Sequence, residues 1–140
     1  MSIVDKDYIK QKIALALKHL EKLEKTSFTK EQLANDMDIY PKVYFLYQNV
    51  IERCLGIASY ICQTQNLPVA TTARDTFVQL ADKNIIDKDT ARRLSGAYGF
   101  RNMLIHDYDE VNVDQIYADH EHNLMNTREF LKQVMVFIEA

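Results

Sequence analysis

The sequence contains few residues that break or cross-link regular structure: its 140 residues include three Gly, two Pro, two Cys and no Trp. So few Gly and Pro favour helices joined by short loops. Cys54 and Cys62 would lie about two turns apart on one helix face, too far to bond, so we expect free buried thiols. No apolar run reaches the roughly 20 residues that span a bilayer, and residues 1–6 lack the pattern of a secretory signal. We expect a single cytoplasmic domain over residues 1–140, with no membrane attachment.

The sequence also lacks an excess of positive charge. Its formal net charge is -3 at pH 7, which argues against capture of a nucleic acid over a wide basic surface. Any such contact must therefore be local. The densest basic stretch contains Lys88, Arg92, Arg93 and Arg101. The lysines of residues 10–25 alternate with an apolar stripe, so we expect them to form a solvated helix face.

Apolar periodicity predicts an all-α fold, because apolar residues recur at the spacing of a helix with one buried face. We predict helices over residues 5–25, 30–36, 42–65, 73–84, 88–104 and 115–140. Their expected end signals are Thr29 with Gln32, Pro41, Thr72, Asn84, Asp87 or Asp89, and Asp114. No strand-like alternation persists, so the expected architecture is an antiparallel bundle of about five to six helices.

The segment from Arg101 to Tyr108 is the most informative part of the sequence, because it places a cation, an amide, an imidazole and a phenol close together. Arginine holds phosphate oxygens with a planar, permanently charged fork, and histidine exchanges protons near neutrality. Metal-free RNA cleavage uses the 2'-hydroxyl as nucleophile and needs a base, an acid and a stabiliser of the phosphorane. The segment has these group types and no set of metal ligands, so we expect neither metal nor cofactor.

One copy of this segment supplies few groups for such a reaction. On a straight helix Arg101 and His106 would lie about 140° apart, whereas Asn102 and His106 share a face. Either the helix frays near Ile105, or two copies of the segment meet across the axis of a homodimer.

Other polar and aromatic residues have less specific interpretations. On a helix His120 and His122 would point about 160° apart, so they cannot share a metal ion. His19 lies beside the apolar face of the first helix, where we expect a structural role. Several tyrosines could stack bases, but their helical spacing among aliphatic residues favours the core or a dimer interface. They are Tyr44, Tyr47, Tyr60, Tyr98 and Tyr117.

The segment resembles the signature of the HEPN superfamily, which is Arg, a polar residue that is often Asn, three or four further residues, and His. Arg101, Asn102 and His106 match it. Tyr108, two residues after the His, is similar to the extended motif of the HepT-type toxins within that superfamily. The segments 51–58, 81–87 and 99–114 are also similar to that group. The resemblance covers roughly residue 41 to the C terminus, and no motif covers the first helix.

This resemblance implies a HEPN-like homodimer that cleaves RNA and halts growth, as the toxin of a type VII toxin–antitoxin system. It implies catalytic roles for Arg101 and His106, support from Asn102, and an inter-subunit cleft that contains the motif. It also implies a cognate MntA-like nucleotidyltransferase antitoxin, which neutralises the toxin by transferring AMP to Tyr108. Acidic residues follow His106, so we place the candidate RNA contacts at Arg92 and Arg93.

Two other functions stay open at this point. A catalytically inactive HEPN-like module would bind nucleotides or a partner without cleaving RNA, and in such a module we would expect a degenerate Arg or His. The sequence keeps both Arg101 and His106. A purely structural helical dimer would give no reason for Arg101, Asn102 and His106 to cluster. The sequence therefore favours the ribonuclease.

Overall fold

The structure is a computed structural model that describes the backbone of residues 4–106 and 110–140 and the side chains of residues 4–99 and 113–140. All regular secondary structure within these ranges is helical, which confirms the predicted all-α class. The helices are α1 (Lys6–Glu24), α2 (Lys30–Asn35), α3 (Ile39–Thr64), α4 (Ala73–Asp82), α5 (Lys88–His106) and α6 (Glu110–Glu139). Across the described ranges, no helix combines the length and the apolar character needed to cross a bilayer.

Side-chain caps fix several helix ends, as the sequence predicts. Thr29 and Gln32 form the capping box of α2: the Thr29 hydroxyl accepts from the Gln32 amide at 3.1 Å, and the Gln32 side chain accepts from the Thr29 amide at 2.9 Å. Thr72 caps α4 through its hydroxyl, which accepts from the Asp75 amide at 3.1 Å. Asn84, at a φ of 59°, adopts the left-handed conformation that ends α4. Each cap satisfies an amide that lacks an intrahelical partner, which contributes about 1 kcal/mol.

Two predicted helix starts were wrong. α3 begins at Ile39, so Pro41 lies inside its first turn, where proline is tolerated because the amide it lacks would have no helical partner. α6 begins at Glu110, so Asp114 is not its cap. The Asp114 carboxylate instead forms an ion pair with Lys30 of α2, a long-range contact that no local pattern contains.

The helices pack antiparallel to their main neighbours, as predicted. The Asp5 amide at the start of α1 donates to the Tyr60 hydroxyl near the end of α3, at 3.3 Å. Lys10 near the start of α1 pairs with Glu139 at the end of α6 at 3.6 Å, and Glu24 at the end of α1 pairs with the earlier residue Arg128 at 2.5 Å. α1 is therefore antiparallel to both α3 and α6.

Asp87 joins the start of α5 to the C-terminal part of α6. Its carboxylate accepts from the Thr90 amide at 2.6 Å, which identifies Asp87 as the cap of α5. Its own amide donates to the Gln133 side-chain oxygen at 2.8 Å, and the Gln133 amide donates back to the carboxylate at 2.9 Å. The hydrogen bond from the Thr90 backbone makes the largest contribution to lowering the pKa of Asp87. Hydrogen bonds from the Thr90 and Gln133 side chains lower it further. Because α5 starts beside the end of α6, its other end, with the motif, lies at the opposite end of the bundle.

The inner face of α3 forms much of the hydrophobic core. Cys54 is fully buried, and Cys62 is buried with its thiol 3.7 Å from the Thr76 carbonyl oxygen. Both are free thiols, as the sequence predicts. Phe77 of α4 and Phe130 of α6, also fully buried, meet edge to face with ring centroids 5.7 Å apart.

Both thiols should be unreactive in the folded protein. Burial raises the pKa of Cys54 to about 12, and it also raises the pKa of Cys62. A raised pKa lowers the fraction of reactive thiolate, and burial blocks access as well. With the disulfide reagent DTNB near neutral pH, we expect no rapid reaction of native protein and reaction of both thiols in guanidinium chloride. Rapid labelling of Cys54 in folded protein would contradict this packing of α3.

Candidate active site

Three of the four predicted site residues share one helix. Arg101, Asn102 and His106 lie in the last turns of α5, whereas Tyr108 lies outside the described residues, as do the side chains of the other three. α5 continues through Ile105 to His106, so the structure does not contain the fraying that the sequence left open. On this backbone Asn102 and His106 occupy one face, and Arg101 and His106 occupy positions about 140° apart.

α2 fixes the start of the helix that follows the motif. Lys30 pairs with Asp114 on the early part of α6. Phe28, just before α2, meets Tyr117 edge to face with centroids 6.0 Å apart, and it meets His120 at 5.0 Å. These contacts hold the first turns of α6 beside the end of the bundle that carries the motif.

The predicted RNA contacts Arg92 and Arg93 lie in the first part of α5. Asp89 pairs with both guanidinium groups, at 2.6 Å with Arg92 and 3.0 Å with Arg93. Arg93 also donates to the Asn126 side chain at 3.3 Å. Eight residues of helix place Arg93 about 12 Å along the axis from Arg101. Both arginines are exposed, but Asp89 partly neutralises them.

The histidines outside the motif form no metal site in the described part of the chain. His120 is half-buried against Phe28, and this burial lowers its pKa, with a smaller opposing effect of Glu121. His122 is exposed. No three His, Cys, Asp or Glu side chains within the described ranges converge on one point. The His19 Nδ1 lies 2.9 Å from the Leu15 carbonyl oxygen in the same helix.

Sequence reasoning missed a second group of polar residues, between α1 and α3. Arg53 lies directly before Cys54 in the apolar stripe of α3, and its Nε is buried without a hydrogen-bond partner among the described residues. Lys12 of α1 lines the same cleft. The one sequence signal for this group was an arginine inside an apolar run. The α1 residues that line the cleft with Arg53 lie about 40 positions earlier in the sequence.

An all-α bundle whose fifth helix ends with Arg101, Asn102 and His106 has the fold and the motif pattern of HEPN proteins. The Ribonuclease HepT-like family matches residues 16–134, and the chain therefore belongs to that family of ribonucleases. The match begins within α1, so it extends beyond the segments that carried the resemblance in the sequence.

Two curated relatives of this chain are HepT nucleases. The mRNA nuclease HepT of Shewanella oneidensis is 29% identical over 125 residues, which cover 89% of this chain and 94% of the relative. The tRNA nuclease HepT of Aphanizomenon flos-aquae is 20% identical over 122 residues, covering 87% and 82%. A solved structure of the tri-AMPylated Shewanella oneidensis HEPN toxin in complex with MNT antitoxin is similar with a TM-score of 0.83 and 28% identity, covering 93% of this chain and 98% of that one. These findings confirm the predicted family and fold.

Proposed function

We propose that this chain is the toxin of a toxin–antitoxin pair and that it cleaves RNA with Arg101 and His106, supported by Asn102. The observation that carries the proposal is the presence of all three residues on the last turns of α5 in a chain of the HepT-like family. The two curated relatives are an mRNA nuclease and a tRNA nuclease, which supports RNA as the substrate class.

Each motif residue has a distinct task in the proposed reaction. His106 moves protons between the 2'-hydroxyl nucleophile, the leaving 5'-oxygen and water. Arg101 holds the phosphate and stabilises the charge that develops on the phosphorane. Asn102 shares the helix face of His106, so it can orient the imidazole or a phosphate oxygen through its amide.

A homodimer completes the proposed site. Because α5 is helical through His106, a single copy places Arg101 and His106 on different sides of the helix. A two-fold axis next to the end of α5 would bring Arg101 of one subunit toward His106 of the other.

We further propose neutralisation by a cognate MntA-like nucleotidyltransferase that transfers AMP to Tyr108. The relative from Shewanella oneidensis is tri-AMPylated and in complex with an MNT antitoxin, which supports the same type of partner here. Arg92 and Arg93 remain candidate RNA contacts. Asp89 forms ion pairs with both, which reduces the positive charge that they offer to RNA.

The products of RNA cleavage test the proposed mechanism. We expect full activity in EDTA, because His106 and Arg101 carry the reaction without a divalent metal. The 5' products should end in a 2',3'-cyclic phosphate, since the substrate's own 2'-hydroxyl is the nucleophile. Mass spectrometry of a cleaved oligonucleotide distinguishes this end from the alternatives. A 3'-hydroxyl paired with a 5'-phosphate would contradict the mechanism, as would loss of activity in EDTA that Mg²⁺ restores.

A further inference from the structure

A cleft of about 360 Å³ opens between α1 and α3, and its described lining residues belong to these two helices. Lys12 of α1 and Arg53 of α3 line it, together with Tyr8, Tyr60 and Gly56. Its volume lies at the small end of the range of about 300–1,000 Å³ that is typical of ligand pockets. It therefore suits a ligand of the size of one nucleotide.

The polar groups of the cleft suit a negatively charged ligand. Arginine binds oxyanions through its charged guanidinium group, and Arg53 is one of the residues that line the cleft. Lys12 adds a second positive charge. Glu52 also lines the cleft, so the charges among its described lining residues are two positive and one negative. The two cations suit a ligand that carries a phosphate group.

Two tyrosines form an aromatic wall beside these charges. The Tyr8 and Tyr60 rings lie 4.7 Å apart at an angle of 53°. The Tyr60 hydroxyl accepts from the Asp5 amide, and the Lys12 ammonium lies 5.2 Å from the Tyr8 ring centroid, so both rings are held in place. Tyr8 is 41% exposed. Tyrosine rings beside cationic side chains form a wall against which a nucleobase can pack.

Gly56 keeps part of the cleft open. It is exposed on α3, and a Cβ built there meets no other atom within 4 Å. A side chain can therefore begin at this position without a clash at its Cβ, and we expect a larger one to occupy part of the cleft.

We propose that the cleft between α1 and α3 binds one nucleotide of an RNA chain. The phosphodiester lies between Lys12 and Arg53, and the base stacks on the Tyr8–Tyr60 pair. The inference rests on the proposed RNA cleavage and adds to it a substrate contact outside the motif. A free mononucleotide offers the same chemical groups as a nucleotide within an RNA chain. The experiments therefore compare binding of these two ligands.

The first test measures binding of a fluorescent single-stranded RNA oligomer to the His106→Ala protein, which should not cut it. Lys12→Gln should weaken binding about fivefold at about 0.1 M salt and lower the slope of log K against log salt by about 0.7, the value for one lost phosphate contact on a single strand. Lys18→Gln, an exposed position of α1 outside the cleft, makes the same charge change and should have neither effect. Equal losses in the two variants would assign the effect to overall charge and overturn the proposal.

The second test closes the cleft. Gly56→Leu should reduce RNA affinity about tenfold, within the range that one stacked base contributes. Ser59→Leu, exposed on the same helix but outside this cleft, should leave it unchanged. Gly56→Leu should fold normally because leucine has a higher helix propensity than glycine, and circular dichroism and light scattering check fold and oligomeric state. Equal affinities of the two variants would overturn the proposal, and so would a changed oligomeric state of Gly56→Leu, which would assign this face to a subunit contact.

Competition with AMP separates the two ligand sources. We expect AMP to displace the oligomer from the His106→Ala protein only at concentrations well above the oligomer's dissociation constant. Gly56→Leu should weaken the binding of both AMP and the oligomer. AMP binding as tight as that of the oligomer would assign the cleft to a free mononucleotide, and no binding of either ligand would remove the cleft proposal. Cleavage by the wild-type protein is measured separately. RNA bound in the cleft but never cut would overturn the ribonuclease proposal and leave the cleft assignment standing.

Discussion

His106→Ala should reduce RNA cleavage by between about one hundredfold and ten-thousandfold, the contribution of one positioned acid–base group. The purified variant and the wild type are compared on one labelled transcript, and growth is followed after induced expression in a host. His122→Ala is the matched control, because His122 is an exposed histidine on α6 outside the motif. Undiminished cleavage by His106→Ala would contradict the proposed role of the imidazole.

Arg101 extends the same experiment to the dimer. Arg101→Ala should be inactive, and Arg101→Lys should stay well below wild type, because lysine keeps the charge but loses the planar fork. A mixture of Arg101→Ala and His106→Ala subunits contains heterodimers with one intact Arg101 and one intact His106 on different chains. If the site forms between subunits, the mixture should regain part of the activity that each variant lacks alone. A mixture without any recovery would contradict the pairing of the two residues across the axis.

Tyr108→Phe should escape neutralisation completely while it still cleaves RNA. In the proposed modification, the phenol oxygen attacks the α-phosphorus of ATP, the new oxygen–phosphorus bond forms AMP-tyrosine, and pyrophosphate leaves. Phenylalanine has no oxygen for this step. In the wild type, the added phosphodiester brings negative charge and bulk two residues from His106, which should oppose binding of the RNA phosphate near Arg101.

The measurement incubates each protein with the cognate nucleotidyltransferase, ATP and magnesium, then assays RNA cleavage and maps adenylate additions by peptide mass spectrometry. Tyr117→Phe is the control, since Tyr117 is an exposed tyrosine on α6. That variant should be modified and silenced like the wild type. If the partner silences wild-type protein whose Tyr108 carries no adenylate, inhibition occurs by complex formation and the covalent mechanism is wrong.

The sequence predicted those parts of the fold that depend on local physics. The capping box of Thr29 and Gln32, the Thr72 cap and the left-handed Asn84 each involve residues within four positions of one another. The two wrong helix starts have a common cause, because Pro41 and Asp114 are both typical of helix beginnings and both occur inside a helix here. The contact that explains Asp114 comes from Lys30, which no pattern around α6 reveals.

For the candidate site, the sequence likewise predicted the local motif but not the cleft that depends on helix packing. Arg101, Asn102 and His106 could be recognised because they occur within six consecutive residues. The cleft could not, because Lys12 belongs to a lysine-rich stripe that reads as a solvated face, and Arg53 lies in an apolar stripe. Only the packing of α1 against α3 brings these two residues to one cavity.

The contact between Asp87 and Gln133 also restricts how the sequence can evolve. Gln133 uses its oxygen for the Asp87 amide and its nitrogen for the Asp87 carboxylate, so it needs both halves of its amide. Glutamate at 133 would place two carboxylates together, and asparagine is one methylene too short to keep both contacts. Each position therefore has few acceptable replacements unless the other changes as well. Natural variants of this protein should conserve residues 87 and 133 together or exchange them together, although 46 positions separate them.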